Sequence, residues 1–265
     1  MSESQQFVKQ GRIVEHFAQC PVVDKLGDRW RIYYAFRDSD NRSHTTFIEV
    51  EAVNPKNVLY RHEKEILPLG QVGTYDEHGV MPTCIITVGK LKYLYYVGWA
   101  RKTEVPYENS TCLAIGDGVN FEKMGPVLQK GEGDLFTGTC WIDREIGIYQ
   151  AVYLSGDGWL NNDPTYSLRI AHSEDGYNWM KGNKHKLKRR TSICSYTQIK
   201  KISLWAMRDN LKRNYIIDGT HQILPSEGWD SEMTCYPYLV EHEGKVFCFY
   251  NGNGFGATGI GYAIL

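Results

Sequence analysis

The sequence predicts an all-β fold, and three observations support this prediction. Short runs rich in β-forming residues recur along the 265 residues, separated by Gly and Asp-Gly turns. Long segments with the apolar periodicity of a helix are missing. Glycine is frequent at 26 residues, and aromatic residues make up 13% of the chain, including 18 tyrosines. This combination is typical of a β-sandwich, a barrel or a propeller.

An internal repeat narrows the prediction to a five-bladed β-propeller. Each copy has a cysteine near its start, an apolar strand, a short polar turn in most copies and a second strand rich in aromatic residues. Two copies continue into a third strand and an Asp-Gly hairpin, at Asp117-Gly118 and Asp175-Gly176. The unit of roughly 40–55 residues has the size of one propeller blade. The five copies begin at Gln19, Met81, Gly138, Ser192 and Met233, and their cysteines are Cys20, Cys84, Cys140, Cys194 and Cys235.

The repeat predicts a single domain over residues 1–265, with blades at about 15–60, 76–126, 134–182, 192–228 and 230–265. The last blade ends without a fourth strand, so residues 6–14 are expected to complete it and to close the ring. Few residues separate Ser192 from Asp230, which predicts a reduced fourth blade. A small cysteine repeated in every blade is expected to be a buried packing residue near the centre.

Composition limits the partners and the location. The 30 basic and 31 acidic residues leave a net charge of −1, which argues against a nucleic-acid partner. No run reaches the roughly 18 apolar residues of a membrane span. The N-terminus lacks the apolar region of a signal peptide, so a cytoplasmic location is expected. The seven cysteines form no CxxC pair, and we expect neither a metal site nor a cofactor.

Candidate site residues come from the loops at one face of the predicted propeller. The loop that enters each inner strand and the loop that leaves the second strand lie on the same face. These loops hold carboxylates, arginines, amides and aromatic rings, which are the groups that bind sugars. The catalytic candidates are Asp76, Glu77 and Glu232; the substrate-binding candidates are Arg37, Asp38, His78, Trp99, Arg101, Asp134, Arg208, Asp230, Tyr236, Asn251 and Asn253.

Each candidate also has a structural interpretation. An acid in these loops can cap a turn or pair with a nearby arginine. His78 can be a base, a hydrogen-bond donor or a turn residue. Arg37 and Arg101 can clamp a carboxylate or a phosphate, or they can neutralise nearby acids. Asp76 beside Glu77 places two like charges together, which would favour one protonated carboxyl group.

Four segments carry a resemblance to a known group of proteins: GTYDEHGVMPTC, YLYYVGW, WDSEMTCYPYL and YNGNGFGATGIGYA. They resemble a bacterial propeller family that is similar to the five-bladed arabinanases, β-xylosidases, invertases and levansucrases. The resemblance covers nearly the whole chain and implies a gene among those for surface polysaccharides. The arabinanase-type carboxylates are absent, since the matching positions read Gln19-Cys20-Pro21, Pro82-Thr83-Cys84 and Gly138-Thr139-Cys140.

The residues leave three functions open. The first is a glycosidase-like enzyme that cleaves or transfers a glycosyl group, with loop carboxylates as its acid and base. The second is a sugar-binding or scaffold propeller without catalysis, which the missing carboxylates favour. The third is a glycosyltransferase that uses a nucleotide sugar, or the partner of such an enzyme, with Arg37 and Arg101 facing phosphates.

Overall fold

The computed structural model describes residues 6–145, 147–185, 193–208, 214–218 and 220–265. The chain divides into two compact units. Unit one contains residues 1–37, 46–64 and 194–265, and unit two contains residues 38–45 and 65–193. Within the described ranges, no helix is long and apolar enough to cross a membrane.

The described residues form strands almost throughout. One short turn, α1 (Asn253–Gly256), interrupts them, and two of its residues have left-handed backbone angles. The strands are β1 (Val8–Val14), β2 (Gln19–Leu26), β3 (Arg29–Arg37), β4 (Ser43–Glu51), β5 (Val58–Arg61), β6 (Gly79–Val88), β7 (Leu91–Arg101), β8 (Tyr107–Gly116), β9 (Phe121–Leu128), β10 (Thr137–Glu145), β11 (Ile148–Leu160), β12 (Asp163–Ser173), β13 (Met180–His185), β14 (Ile193–Ile199), β15 (Ile202–Arg208), β16 (Asn214–Ile217), β17 (Gln222–Ile223), β18 (Cys235–His242), β19 (Lys245–Asn251) and β20 (Ile260–Ile264).

Unit one contains the strands of three repeat copies. β2 pairs with β3, and β4 pairs with β5. A second group has the order β14-β15-β16-β17, and a third has the order β1-β20-β19-β18. β1 pairs antiparallel with β20, and Val8 lies opposite Ile264. The N-terminal segment therefore joins the last repeat, as the sequence predicts, while closure of a complete ring stays a prediction.

The fourth repeat is short at its outer side. β16 has four residues and β17 has two, whereas β14 and β15 have seven each. The predicted reduction of this repeat lies in its last two strands, because the chain between Ser192 and Asp230 has little length to supply them.

Unit two contains the second and third repeat copies. β6 to β9 follow one another in one sheet, and β10 to β13 form another. Ser43, at the start of β4, pairs in parallel with Gly79 at the start of β6. Residues 38–45 are thereby held next to the loop that enters β6.

The repeated cysteines are buried, as predicted. Cys20, Cys84, Cys140 and Cys235 are between 0% and 3% exposed, and the side chain of Cys194 lies outside the described residues. Cys84 and Cys140 belong to an apolar cluster with Tyr95 in unit two. Burial raises the pKa of the Cys140 thiol well above its usual value, so this thiol is a packing group and a poor nucleophile.

Candidate functional site

Three sheets contain the same buried aspartate. It lies just before the inner strand, at Asp76, Asp134 and Asp230, and it is 2%, 3% and 1% exposed respectively. Each carboxylate accepts a hydrogen bond from a tyrosine on the second strand and pairs with a lysine on the outermost strand. The partners and distances are Tyr96 at 3.4 Å and Lys123 at 2.6 Å for Asp76, Tyr153 at 2.9 Å and Lys181 at 2.9 Å for Asp134, and Tyr250 at 2.9 Å and Lys9 at 2.5 Å for Asp230.

These contacts tie the strand entrance to the second and the outermost strands of each sheet. Burial alone would raise the pKa of Asp134, but hydrogen bonds from Ser155, Lys181 and Tyr153 outweigh it and hold that pKa below its usual value. A general acid needs the opposite shift, because it must keep its proton near neutral pH. The geometry thus favours a structural role for the three aspartates, and the Asp76 carboxylate contacts Tyr96 and Lys123 whereas Glu77 contacts Gly73.

The first repeat has a histidine in a similar place. The His16 ring lies 3.5 Å from the Tyr34 hydroxyl group, just before β2. Burial, and then the positive charge of Arg61, lower the pKa of His16. A neutral imidazole can replace the carboxylate here because it also accepts a hydrogen bond from a tyrosine.

Glu77 points away from the sheet that holds Asp76. Its Oε2 accepts a hydrogen bond of 2.7 Å from the Gly73 backbone N–H, and its Oε1 lies 3.4 Å from His78 Nδ1. The side chains of Glu77 and His78 are 17% and 24% exposed. The Arg101 backbone N–H donates to the same His78 nitrogen at 3.3 Å. Glu77, His78 and Arg101 therefore lie together in unit two at the start of β6.

Trp99 packs against this group of residues. Its side chain is buried at 8% exposure, and its Nε1 donates a hydrogen bond of 2.9 Å to the Ser43 hydroxyl group. The His78 ring stacks on it with centroids 5.9 Å apart, and the Arg101 guanidinium lies 5.9 Å from it. Because the Trp99 ring is buried and lies against His78 and Arg101, it supports the His78 ring and is not accessible for stacking on a sugar.

Asp38 begins a second polar group in unit two. It accepts hydrogen bonds from the Arg42 backbone and guanidinium at 2.8 Å and from His44 Nε2 at 3.0 Å. Burial opposes ionisation, but these bonds outweigh it and hold the pKa of Asp38 well below its usual value. His44 Nδ1 lies 2.5 Å from Glu65. The Arg101 guanidinium donates to the Asp40 carbonyl, so this group adjoins the Glu77 group.

His44 and Glu65 were missed at the sequence level. Twenty-one positions separate them, and neither belongs to a motif. His44 and Glu65 are brought together by the pairing of Ser43 with Gly79 and by the return of the chain after β5. No local sequence pattern reveals either of these features. The His44 ring thereby links Asp38 to Glu65.

The candidates of unit one form a separate group. Glu232 is exposed, and the Asn253 side-chain oxygen accepts hydrogen bonds from the backbone N–H groups of Glu232 and Met233 at 2.8 and 2.9 Å. Asn251 is fully buried; its side chain accepts from the Cys20 backbone N–H at 3.4 Å and donates to the Gly252 carbonyl at 3.1 Å. The two asparagines therefore shape the backbone around Glu232 and Cys20.

The remaining candidates of unit one are partly buried. Arg37 Nε donates to the Gln19 side chain at 3.1 Å, and its guanidinium lies 5.8 Å from the Phe17 ring. Tyr236 has a left-handed φ of 50° and lies 6.4 Å from the Phe255 ring. Arg208 ends β15 and is half-buried, and its sequence neighbours at 209 and 210 lie outside the described residues. A phosphate-binding role for Arg37 and Arg101 stays a prediction.

The turn α1 is rich in glycine because it packs closely against the chain that enters β2. The backbone N–H of Ala18 donates to the Gly256 carbonyl at 2.8 Å. A Cβ on Gly256 would lie 2.1 Å from the Ala18 carbonyl oxygen, and its φ of +97° is also unfavourable for other residues. Glycine at this position therefore lets the turn approach the chain that enters β2.

An aromatic cluster in unit two was also missed. The long strand β11 carries Trp159, whose ring lies 4.9 Å from Tyr107 and 5.4 Å from Phe136. Tyr166 packs edge-on against Phe136 at 5.4 Å. Trp159 is partly exposed, so it is a better candidate than Trp99 for contact with a sugar ring. Its only sequence signal is an aromatic residue near the end of an unusually long strand.

Comparison with solved structures identifies the class of fold. No family model matches the sequence. A putative glycosidase from Bacteroides thetaiotaomicron superposes with a TM-score of 0.67 at 14% identity, covering 94% of this chain and 86% of that chain. The RS223 β-xylosidase superposes with a TM-score of 0.66 at 12% identity, covering 96% and 94%. The catalytic domain of the Coprinopsis cinerea GH62 α-L-arabinofuranosidase gives a TM-score of 0.64 at 9% identity, covering 100% and 97%. The chain has the fold of propeller-type glycoside hydrolases.

Sequence comparison gives the narrower assignment. Two proteins of Mycobacterium tuberculosis, uncharacterized protein MT1551 of strain CDC 1551 / Oshkosh and uncharacterized protein Rv1502 of strain ATCC 25618 / H37Rv, are each 31% identical to this chain over 275 residues. The match covers 94% of this chain and 92% of each relative. The chain belongs to the family of these two mycobacterial proteins.

Proposed function

We propose that this protein is a carbohydrate-active, glycosidase-like enzyme that acts on a glycosyl bond in or near surface-polysaccharide metabolism. The observation that carries the proposal is the placement of Glu77. At the start of an inner strand, its carboxylate is fixed by the Gly73 N–H at 2.7 Å and lies beside the His78 imidazole at 3.4 Å. A positioned carboxylate beside a histidine is suited to proton transfer at a leaving group or a water molecule.

Glu77 is the proposed acid–base residue of unit two, and Glu232 is a separate candidate in unit one. Both follow a buried aspartate and lie at the start of an inner strand, which is where the sequence predicts the site. We leave Asp76 out of the catalytic set because Lys123 and Tyr96 occupy its carboxylate. Near Glu77 in unit two, the ionised Asp38 carboxylate and the Arg101 guanidinium supply polar contacts for sugar hydroxyl groups.

We also propose how the five repeats are arranged in the fold. Five repeats are arranged as five blades, and β1 closes the ring by joining the last blade. The pairing of β1 with β20 supports this arrangement, since it covers an edge that would otherwise be open. The fold of the solved relatives supports a propeller.

The test is turnover of a panel of aryl glycosides and bacterial polysaccharide fragments by the wild type and by Glu77→Gln, Glu232→Gln and the control Glu122→Gln. Glu122 is exposed on β9 and receives the same change. We expect kcat to fall about 10²–10⁴-fold for Glu77→Gln and Glu232→Gln and to stay unchanged for the control. Equal turnover by all four proteins would exclude both residues as catalysts.

A second candidate function is sugar binding without catalysis, and one observation favours it. Among the described residues, the carboxyl groups whose pKa is clearly shifted are all shifted downward; they are Asp38, Glu49, Glu108, Asp117, Asp134, Asp175 and Asp218. A glycosidase acid needs an upward shift, which substrate binding would then have to supply. A sugar that raises the Tm of the wild type and of both Gln variants equally, and is never consumed, would establish this function instead.

A further inference from the structure

We propose that a cavity beside Glu77 in unit two binds an anionic sugar unit, specifically a uronic acid residue of the glycan. This inference rests on the proposed carbohydrate function and specifies the class of substrate. The cavity has a volume of about 370 Å³, near the lower end of the roughly 300–1,000 Å³ that small-molecule pockets occupy. That volume suits one or two sugar rings and excludes a long chain lying wholly inside it.

The lining has the chemistry of a sugar site. It combines apolar surface from an aromatic ring and two small side chains with hydroxyl, amide and charged groups. These residues come from the loop before β6, the end of β7, the start of β8 and the end of β9. The main contributors are Tyr75, Ala100, Pro126, Thr74, Ser110, Gln129, Lys102, Lys130 and Glu108.

The charge balance of the cavity favours an anion. Lys130 Nζ lies 2.6 Å from one oxygen of Glu108, and Lys102 Nζ lies 3.3 Å from the other. Burial opposes ionisation of Glu108, but the two lysines outweigh it and hold the pKa of Glu108 below its usual value. Two ammonium groups thus face one carboxylate, which leaves one positive charge uncompensated within this group. A carboxylate on the ligand would balance that charge and use the lysine N–H donors that Glu108 leaves available.

The cavity is connected to the proposed acid–base residue. Gly73 lines the cavity, and the N–H group of the same residue donates the 2.7 Å hydrogen bond to Glu77. A sugar in the cavity would therefore contact the loop that fixes Glu77. The cavity is a neighbouring subsite, and a glycosyl bond at Glu77 would join its occupant to the next sugar.

A second cavity in unit two shows why the charge count matters. It has a volume of about 570 Å³ and contains Arg169 and Lys184. Those two cations and Lys181, which also pairs with Asp134, face three carboxylates: Arg169 lies 3.1 Å from Asp134 and 3.9 Å from Glu132, and Lys184 lies 2.9 Å from Asp157 and 3.5 Å from Asp134. Because carboxylates of the protein balance these cations, this larger cavity lacks the same preference for an anion.

The experiment is calorimetric titration with three probes: a disaccharide containing glucuronic acid, the same disaccharide with its carboxyl group reduced to an alcohol, and glucose 1-phosphate. The proteins are the wild type, Lys102→Met/Lys130→Met, Glu108→Gln and the control Lys90→Met. Lys90 is exposed in the turn at the other end of β7. We expect the wild type to prefer the uronic acid probe over its reduced form by about tenfold or more, because charge-assisted hydrogen bonds are lost on reduction.

The variants are expected to move this preference in opposite directions. The double lysine variant should lose it, Glu108→Gln should increase it, and Lys90→Met should leave it unchanged, while all four proteins keep the same Tm within a few degrees. Tighter binding of glucose 1-phosphate than of the uronic acid would overturn the uronic acid assignment in favour of a sugar phosphate. Equal binding of the acidic and reduced disaccharides would overturn the subsite alone, whereas Glu77→Gln without effect on turnover would overturn the proposed function and leave the binding result standing.

Discussion

The loop before β6 in unit two and the loop before β18 in unit one have the same acidic arrangement. In each, an aspartate turns inward to a tyrosine and a lysine: Asp76 to Tyr96 and Lys123, and Asp230 to Tyr250 and Lys9. In each, a glutamate one or two positions later makes no part of that contact: the Glu77 side chain is 17% exposed and binds Gly73 in its own loop, and Glu232 is exposed. Acids that are neighbours in the sequence therefore have separate environments, one inside the sheet and one at its entrance.

The two outward glutamates differ in how they are held. The Glu77 carboxylate is fixed by Gly73 and flanked by His78, whereas Glu232 is exposed and Asn253 holds only its backbone. The Glu77 carboxylate is therefore preorganised in the structure, whereas the described contacts fix only the backbone of Glu232. Only some of the acidic residues in such a loop are therefore available for catalysis.

The largest expected effect separates the inward acid from the outward one. Asp230→Ala should lower the free energy of unfolding by about 3–5 kcal/mol, because it leaves the ammonium group of Lys9 and the Tyr250 hydroxyl without their partner. Glu232→Ala should change it by less than about 0.5 kcal/mol, since its side chain is exposed. Urea unfolding followed by tryptophan fluorescence measures both. Similar losses for the two variants would remove the distinction between a structural and a surface acid.

The next effect concerns the tyrosine that meets the inward acid. Tyr250→Phe removes a hydrogen bond of 2.9 Å to Asp230 and should cost about 1.5–3 kcal/mol, the range for bonds to charged groups. Tyr177→Phe is the control, because that side chain is 38% exposed. Equilibrium unfolding of the two variants in parallel checks the prediction, and a cost for Tyr250→Phe no greater than that for the control would contradict it.

A pH dependence should mark the third inward acid, Asp134. Its pKa in the folded protein lies below that of the unfolded chain, so its stabilisation is complete above the usual aspartate pKa of about 4 and is lost as the pH falls through the lower folded value. Asp134→Asn should therefore be less stable than the wild type at neutral pH, and the difference should shrink in acid. Thermal unfolding at neutral pH and near pH 3 measures the change. A difference that stays constant or grows in acid would contradict the assignment.

The smallest effect tests the support of the outward glutamate. Asn253→Ala removes two hydrogen bonds to the backbone at Glu232 and Met233 and should cost about 1 kcal/mol. If Glu232 takes part in catalysis, turnover should fall more for Asn253→Ala than stability alone explains, because the loop that presents Glu232 is loosened. Asn178→Ala, in the turn after β12, is the control, because it also removes a local hydrogen bond, a donation of 2.7 Å from the Asn178 side chain to Asp175. Unchanged kcat in a folded Asn253→Ala protein would show that this loop needs no fixed shape.

The repeats and the all-β class could be predicted from the sequence because both depend on local patterns. The cysteine at each inner strand and the aromatic second strand recur in five copies, Asp-Gly turns mark two of them, and the joining of residues 6–14 to the last repeat followed from a missing strand. The direction in which each acidic side chain points could not be predicted in this way. Whether Asp76 points inward depends on Lys123, which lies 47 positions later, and for Asp230 the partner is Lys9, 221 positions earlier.

The positions of the candidate residues could be predicted where one loop contains them. They could not be predicted where residues far apart in the sequence come together. Glu77 and His78 were placed correctly at a strand entrance, since the repeat fixes that position. Trp99 was chosen as an aromatic platform, but its burial beneath His78 follows from the parallel pairing of Ser43 with Gly79. His44 and Glu65 had no local signal, and the only signal for Trp159 was its place near the end of a long strand, so the three-dimensional arrangement was needed to find them.

The pairing of β1 with β20 has a consequence for the order of assembly. Val8 pairs with Ile264, so β1 gains its partner only after β20 has been synthesised. Until then Asp230 lacks the lysine that β1 supplies. Pairing between residues so far apart in the sequence slows folding. A variant truncated before β20 should therefore be cleaved by proteases faster than the 265-residue chain.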